Sequence, residues 1–111
     1  MRGMKDHPSE AIRTAVDELL DRAKVDWVSL HDVVWYSTRG DRSAIAKQHT
    51  LDVLRHLFAS DLMAPGDLGE TGFEDWSGSF DAWDKRALAD LERLDWNPMG
   101  DGFWLRLAGD E

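Results

Sequence analysis

The residue types that could do chemistry here are few. Cysteine is absent, which removes disulfides, thiolate ligands and thiol nucleophiles. Histidines stand at His7, His31, His49 and His56. On a helix, His49 and His56 share a face but lie two turns apart. They cannot hold one ion unless His31 and Asp32 fold onto them, since a transition-metal site needs three or four converging ligands. No metal and no cofactor is therefore expected. Carboxylate pairs occur at Asp17/Glu18, Glu74/Asp75, Asp81/Asp84 and Asp90/Glu92, but acid–base work needs two carboxyls in different environments over one cleft. In a chain with 22 acidic side chains such pairs arise without function, and Asp81 and Asp84 suit the first turn of a helix. Ser29, Ser43, Ser60, Ser77 and Ser79 lack a nucleophile-elbow setting. Gly66-x-x-Gly69-x-x-Gly72 is not followed by Gly-Lys-Ser/Thr and is flanked by acids, so it is not a phosphate loop. No residue is assigned a catalytic role, and an enzyme is not expected.

Charge and aromatic content are the more distinctive signals. The formal charge is −9, and it is concentrated: residues 59–111 carry 4 basic and 13 acidic side chains, whereas residues 37–58 carry 4 basic and 2 acidic. Such a field favours basic partners and repels phosphate backbones. Six tryptophans punctuate the chain. Over Phe73-Glu74-Asp75-Trp76-Ser77-Gly78-Ser79-Phe80-Asp81-Ala82-Trp83-Asp84, aromatics alternate with acids. Two readings of this stretch coexist. The rings can be core anchors with the acids in water, or the whole can be an interface in which aromatics give contact area and carboxylates steer a partner. The expected partner-binding set is Asp67, Glu70, Glu74, Asp75, Trp76, Asp81 and Asp84, facing a basic protein.

These residues need elements to hold them. Ser9 is placed to cap a helix over about 10–24, with Ile12, Val16, Leu19, Leu20 and Ala23 at helical spacing. Trp27 and Val28 suit a short extended piece, and Ser29 with Asp32 resembles a capping box opening a short helix to about Ser37, with a strand the competing reading because of the β-branched content. A polar connection leads to a helix over about 44–60. There Ile45, His49 or Thr50, Leu51, Leu54, Leu57 and Phe58 form the expected apolar stripe. Leu62–Phe73 reads as a strand entering a glycine-rich turn, with Phe73–Trp76 returning, and Pro65 argues against a central strand. A last helix over about 80–95 carries Phe80, Trp83, Ala87, Leu88, Leu91 and Leu94 near one face. After a turn at 97–102, Phe103–Ala108 closes as a strand with Phe103, Leu105 and Leu107 on one side. The expectation is a single α+β domain over 1–111, with a flexible segment at 1–8.

The block from Trp27 to Trp76, a short strand, two helices and a hairpin, is similar to a winged helix-turn-helix unit. The stretch Thr50–Met63 stands where its second helix passes into the first wing strand. The resemblance covers about half the chain and is one of pattern. It implies a winged-helix-like three-helix core with a small antiparallel β-hairpin or sheet, here extended by a C-terminal helix and strand. It also implies DNA binding through the second helix, for which the groove-facing residues would be Arg39, Arg42, Lys47, Gln48 and Arg55. Against this, a wing bearing Asp61, Asp67, Glu70, Glu74 and Asp75 repels phosphate where counterion release should supply affinity. More loosely, the second half resembles small acidic bacterial proteins, and those that neutralise a basic nuclease toxin fit the same physical description. The reading is a non-enzymatic protein-binding module, of immunity or inhibitor type, with a DNA-binding transcriptional regulator as the alternative. No apolar run approaches the roughly 20 residues of a membrane span and no signal-peptide pattern opens the chain, so a cytoplasmic protein is expected.

Overall fold

Capping and apolar period dictate where the chain turns helical. In a computed structural model that describes residues 10–108, α1 spans Glu10–Ala23 and buries Ile12, Ala15, Val16, Leu19 and Ala23. Strand β1 is only Val28–Ser29. The Ser29 hydroxyl accepts the Asp32 N–H at 3.1 Å, closing the cap that starts α2, Leu30–Thr38. Ser43 does the same for α3, Ala44–Ala59, by accepting the Ala46 N–H at 3.2 Å. Strands β2, Met63–Gly69, and β3, Gly72–Asp75, form a hairpin. Helix α4 is Phe80–Arg93 and β4 is Trp104–Leu107. The expected Ser9 cap, His7 and the segment 1–8 lie outside the described residues.

The architecture is α+β, with four helices and one antiparallel sheet in the order β1-β4-β2-β3. Strand β4 lies between β1 and β2, pairing Leu105 with both Val28 and Pro65. Alternation along the strands divides their residues between two faces. Val28, Met63, Phe103 and Leu105 belong to the hydrophobic core together with residues of all four helices. The opposite face carries Trp27, Phe73, Leu68 and Trp104, and none of these joins the core or its margin. No helix among the described residues is long and apolar enough to cross a membrane.

Three local expectations are corrected. Strand β2, which contains Pro65, is an interior strand. In an antiparallel ladder a residue's N and O face the same neighbour. The Pro65 carbonyl accepts the Trp76 N–H at 3.0 Å, so the donor that proline lacks falls just past the end of β3 and no β2–β4 hydrogen bond is lost. Ile45 is 71% exposed, and the buried stripe of α3 is Ala46, Thr50, Val53, Leu54, Leu57 and Phe58. Thr50 is tolerated inside because its hydroxyl donates to the Ala46 carbonyl at 3.3 Å. Phe80, expected on the apolar face of the last helix, is 42% exposed. It packs edge-on to Trp83 at 5.5 Å and leaves Ala87 and Leu91 as the buried positions of α4.

Candidate functional site: the open face of the sheet

Gly66 makes the open face flat enough to hold an aromatic ring. A Cβ at Gly66 would overlap the Phe73 ring and come within 2.6 Å of the Glu74 carbonyl. Without it, Phe73 lies down across β2. At the hairpin tip Glu70 and Thr71 reverse the chain, and Gly72 takes a φ of 105°, a region glycine enters at little cost. Trp27, just before β1, reaches Phe73 with ring centres 5.5 Å apart. Arg106 crosses the same face, its guanidinium 5.9 Å from the centre of the Phe73 ring. It grips Asp75 with two bonds, Nε to Oδ1 at 2.8 Å and Nη2 to Oδ2 at 3.0 Å. Trp104 is half-buried, while Trp27 and Leu68 are 42% and 45% exposed. The result is an apolar aromatic patch stapled by one ion pair.

The hydrogen bonds from Arg106, reinforced by its charge, hold the Asp75 carboxyl below its ordinary value of 3.8. A folded-state value below the unfolded one gives stability that is present above about pH 4 and lost as pH falls through the folded value. Because Asp75 is more than half exposed, the contribution stays under about 1 kcal/mol. Arg106→Gln is expected to move the Asp75 titration, followed by carboxyl NMR, back up towards the ordinary value. An unmoved titration would mean that this pair is not formed in solution.

The residues expected to bind a partner are placed very unequally. Trp76 lies inside, 6% exposed, against Phe103 at 4.7 Å. Its indole N–H donates to Asp67 Oδ2 at 3.0 Å, and that same oxygen accepts from Arg86 Nη2 at 2.9 Å. The Arg86 guanidinium covers the Trp76 ring at 4.0 Å. Trp76 and Asp67 thus tie the hairpin to α4 and offer a partner little. Asp84 pairs with Arg55 at 3.4 Å, and Asp75 is held by Arg106. The carboxylates of Glu70, Glu74 and Asp81 make no ion pair among the described residues. Glu74 accepts only the Thr71 hydroxyl at 3.1 Å. Hairpin and α4 start therefore keep three of the seven expected residues as available negative charge.

The alternative, basic set makes surface contacts with other side chains and carbonyls of the chain. Arg39 pairs with Glu18, Arg42 donates to the Asp95 carbonyl at 3.1 Å, and Gln48 donates to Asp52 at 3.0 Å. Lys47 sits 5.5 Å from the centre of the Trp96 ring. Arg55 joins the two sets, because its partner Asp84 belongs to the acidic one. Helix α4 packs on α3 at this point, with Phe58 edge-on to Trp83 at 5.5 Å. Among the described residues no group of three His, Asp or Glu side chains is arranged to hold a metal ion.

Sequence reasoning passed over Trp27, Leu68, Trp104 and Arg106 as site residues. A signal for two of them was present: if Phe103, Leu105 and Leu107 face one way, Trp104 and Arg106 must face the other. Trp27 had no such signal, since its neighbour Phe73 is 46 positions away. Compared with protein-family models, curated protein sequences and solved structures, the chain gives no match.

Proposed function

We propose that this protein is a non-enzymatic binding module that docks a basic protein on the open face of its sheet. The observation that carries this reading is the patch formed by Trp27, Phe73, Trp104 and Leu68, an aromatic surface that no element of the domain uses for its own core. Protein interfaces concentrate their energy in such aromatic anchors and surround them with a polar rim. Glu70 at the hairpin tip supplies rim charge, and Glu74 adds charge from the reverse face of the hairpin, where its carboxylate lies against Gly69. The net −9 of the chain draws a basic surface in from a distance. An inhibitor or immunity role, in which the module caps a basic enzyme, is the specific form of this function.

Winged-helix DNA binding is less well supported. It would need Arg42 and Arg55 free for phosphate, yet each already faces a carboxylate of the chain, Asp95 and Asp84. It would also bring Glu70 and Glu74 close to phosphates.

The test uses the tagged full chain as bait, washed at about 50 and 200 mM salt, with retained proteins identified by mass. A single basic protein, held at low salt and weakened at high salt, is expected. Trp27→Ser is expected to weaken that complex by at least about tenfold, and Glu70→Gln with Glu74→Gln to slow association and flatten its salt dependence. Retention of duplex DNA alone, or of a protein indifferent to Trp27→Ser, overturns the proposal.

A further inference from the structure

A second feature lies away from the sheet, where the ends of α2 and α3 meet the segment after α4. It is a cleft of about 140 Å3 bordered by His31, Trp35, Arg42, Lys47, Trp96 and Pro98. Its two indoles come from positions 61 residues apart. Trp35 is 47% exposed on α2, and Trp96, in the segment after α4, is half-buried.

Both walls depend on left-handed backbone that ordinary residues avoid. Arg39 ends α2 with a φ of 53° and donates its N–H to the Trp35 carbonyl at 2.7 Å. Gly40 follows at 90°, and a Cβ there would stand 3.5 Å from the Trp35 ring. After α4, Asp95 and Trp96 are consecutive left-handed residues, with φ of 55° and 58°. The Trp96 N–H donates to the Leu91 carbonyl at 2.8 Å, which stops α4 and turns the indole back towards Lys47. Each such residue costs about 1–2 kcal/mol in ordinary backbone preference, so the surrounding packing holds the two rings in place.

Two cations, Lys47 and Arg42, border this cleft, and the carboxylates near them each have a partner within the chain. Lys47, half-buried in the first turns of α3, forms no ion pair among the described residues, and its ammonium faces the Trp96 ring. Arg42 points one nitrogen at the Asp95 carbonyl, and that nitrogen lies 3.9 Å from the largely exposed Asp95 carboxylate, a loose surface pair that a bound carboxylate would compete with. Asp41, also at the rim, has its Oδ1 on the Ser43 N–H at 2.9 Å, so that carboxylate is occupied in closing the turn before α3. The first turn of α3 contains no acidic residue, and the positive end of its dipole adds to the Lys47 charge.

We infer that this cleft is a small-molecule site for a planar aromatic carboxylate, its ring between Trp35 and Trp96 and its carboxylate on Lys47 with Arg42. The volume suits a single ring, since a cavity of about 150 Å3 accepts benzene. A carboxylate is selected over a neutral group because Lys47 is partly desolvated, where a charge-assisted hydrogen bond counts for more. Helix ends and loops form the site without the open face of the sheet, so it stands independently of the protein-docking reading.

The experiment titrates the isotope-labelled full chain with sodium benzoate and, in parallel, with benzamide, following backbone and indole N–H resonances by NMR. Saturable shifts with benzoate in the millimolar range, as expected for a fragment, should centre on His31, Trp35, Lys47 and Trp96. Benzamide should bind about tenfold more weakly. Lys47→Met should abolish the preference for benzoate, while Lys47→Arg should retain it, and both variants should keep the wild-type spectrum elsewhere. Absence of saturable shifts, equal binding of benzamide, shifts centred elsewhere, or a preference unchanged in Lys47→Met would each overturn the assignment.

Discussion

Trp76→Ala is expected to remove about 3–5 kcal/mol of folding stability, the usual loss when a large core aromatic is truncated. The ring is 6% exposed and packs at a tilt against Phe103, so its removal opens a void between the hairpin, α4 and Phe103. It also strands two polar partners. Asp67 loses the indole donor, and Arg86 loses the ring it covers at 4.0 Å. A domain of this size has about 5–15 kcal/mol in total, so this one change removes a large share of it. Trp76→Phe keeps most of the ring and deletes the N–H, and should cost far less, near 1 kcal/mol for the hydrogen bond plus a small packing term. Urea unfolding of both variants checks this. A loss under about 1 kcal/mol in Trp76→Ala would return Trp76 to the surface and restore it as a partner anchor.

Gly102→Ala is expected to be the next most damaging change, at about 2–4 kcal/mol from two additive causes. Gly102 has a φ of 90°, and a Cβ there would stand 2.8 Å from Leu30 Cδ2 and 3.1 Å from Leu94 Cδ1. Leu30 is fully buried, so it has no free direction in which to yield. Gly100 supplies the control. It has a φ of 115°, but a Cβ there would meet nothing within 4 Å, so Gly100→Ala should incur only the backbone term of about 1–2 kcal/mol. Thermal unfolding separates the two, because each kcal/mol moves the midpoint by about 4–8 °C in a domain near this size. Equal shifts would show that the Leu30 contact relaxes freely.

Both changes matter to function through position. Gly102 ends the segment that carries Trp96 and Pro98 and admits β4, whose Trp104 and Arg106 lie on the docking face. Loss of the turn would disturb the cleft and the sheet together. Surface changes such as Trp27→Ser leave the core untouched, so a binding defect there is readable without a folding defect.

Much of the local structure was legible in the residues alone. Ile12, Val16, Leu19 and Ala23 recur with helical period and do bury one side of α1. Ser29 and Asp32 mark the start of α2, and the cap bond forms between them. Phe103 and Leu105 alternate and face the core. These are short-range properties: a cap, a helical period and a two-residue alternation each involve neighbours within one turn or one strand. The concentration of acidic charge in residues 59–111 is likewise a property of composition.

What the residues could not decide was which of several apolar or charged groups would meet. Period places Ile45 and Ala46 on adjacent faces of α3 without saying which face the other helices cover, and packing buried the smaller residue. Trp27 and Trp76 look alike as sequence. Only the sheet order, with β4 inserted between β1 and β2, puts one on the open face and the other beneath Arg86. Pro65 argued against an interior strand until the register showed its missing donor facing the end of β3. The acids and bases read as two rival sites became partners in Arg55–Asp84, and Asp75 of the acidic set is held by Arg106. Such pairings join positions some 30 residues apart, and Trp35 with Trp96 twice that. No local preference encodes them, because they exist only once the whole core has closed and fixed which surfaces remain outside.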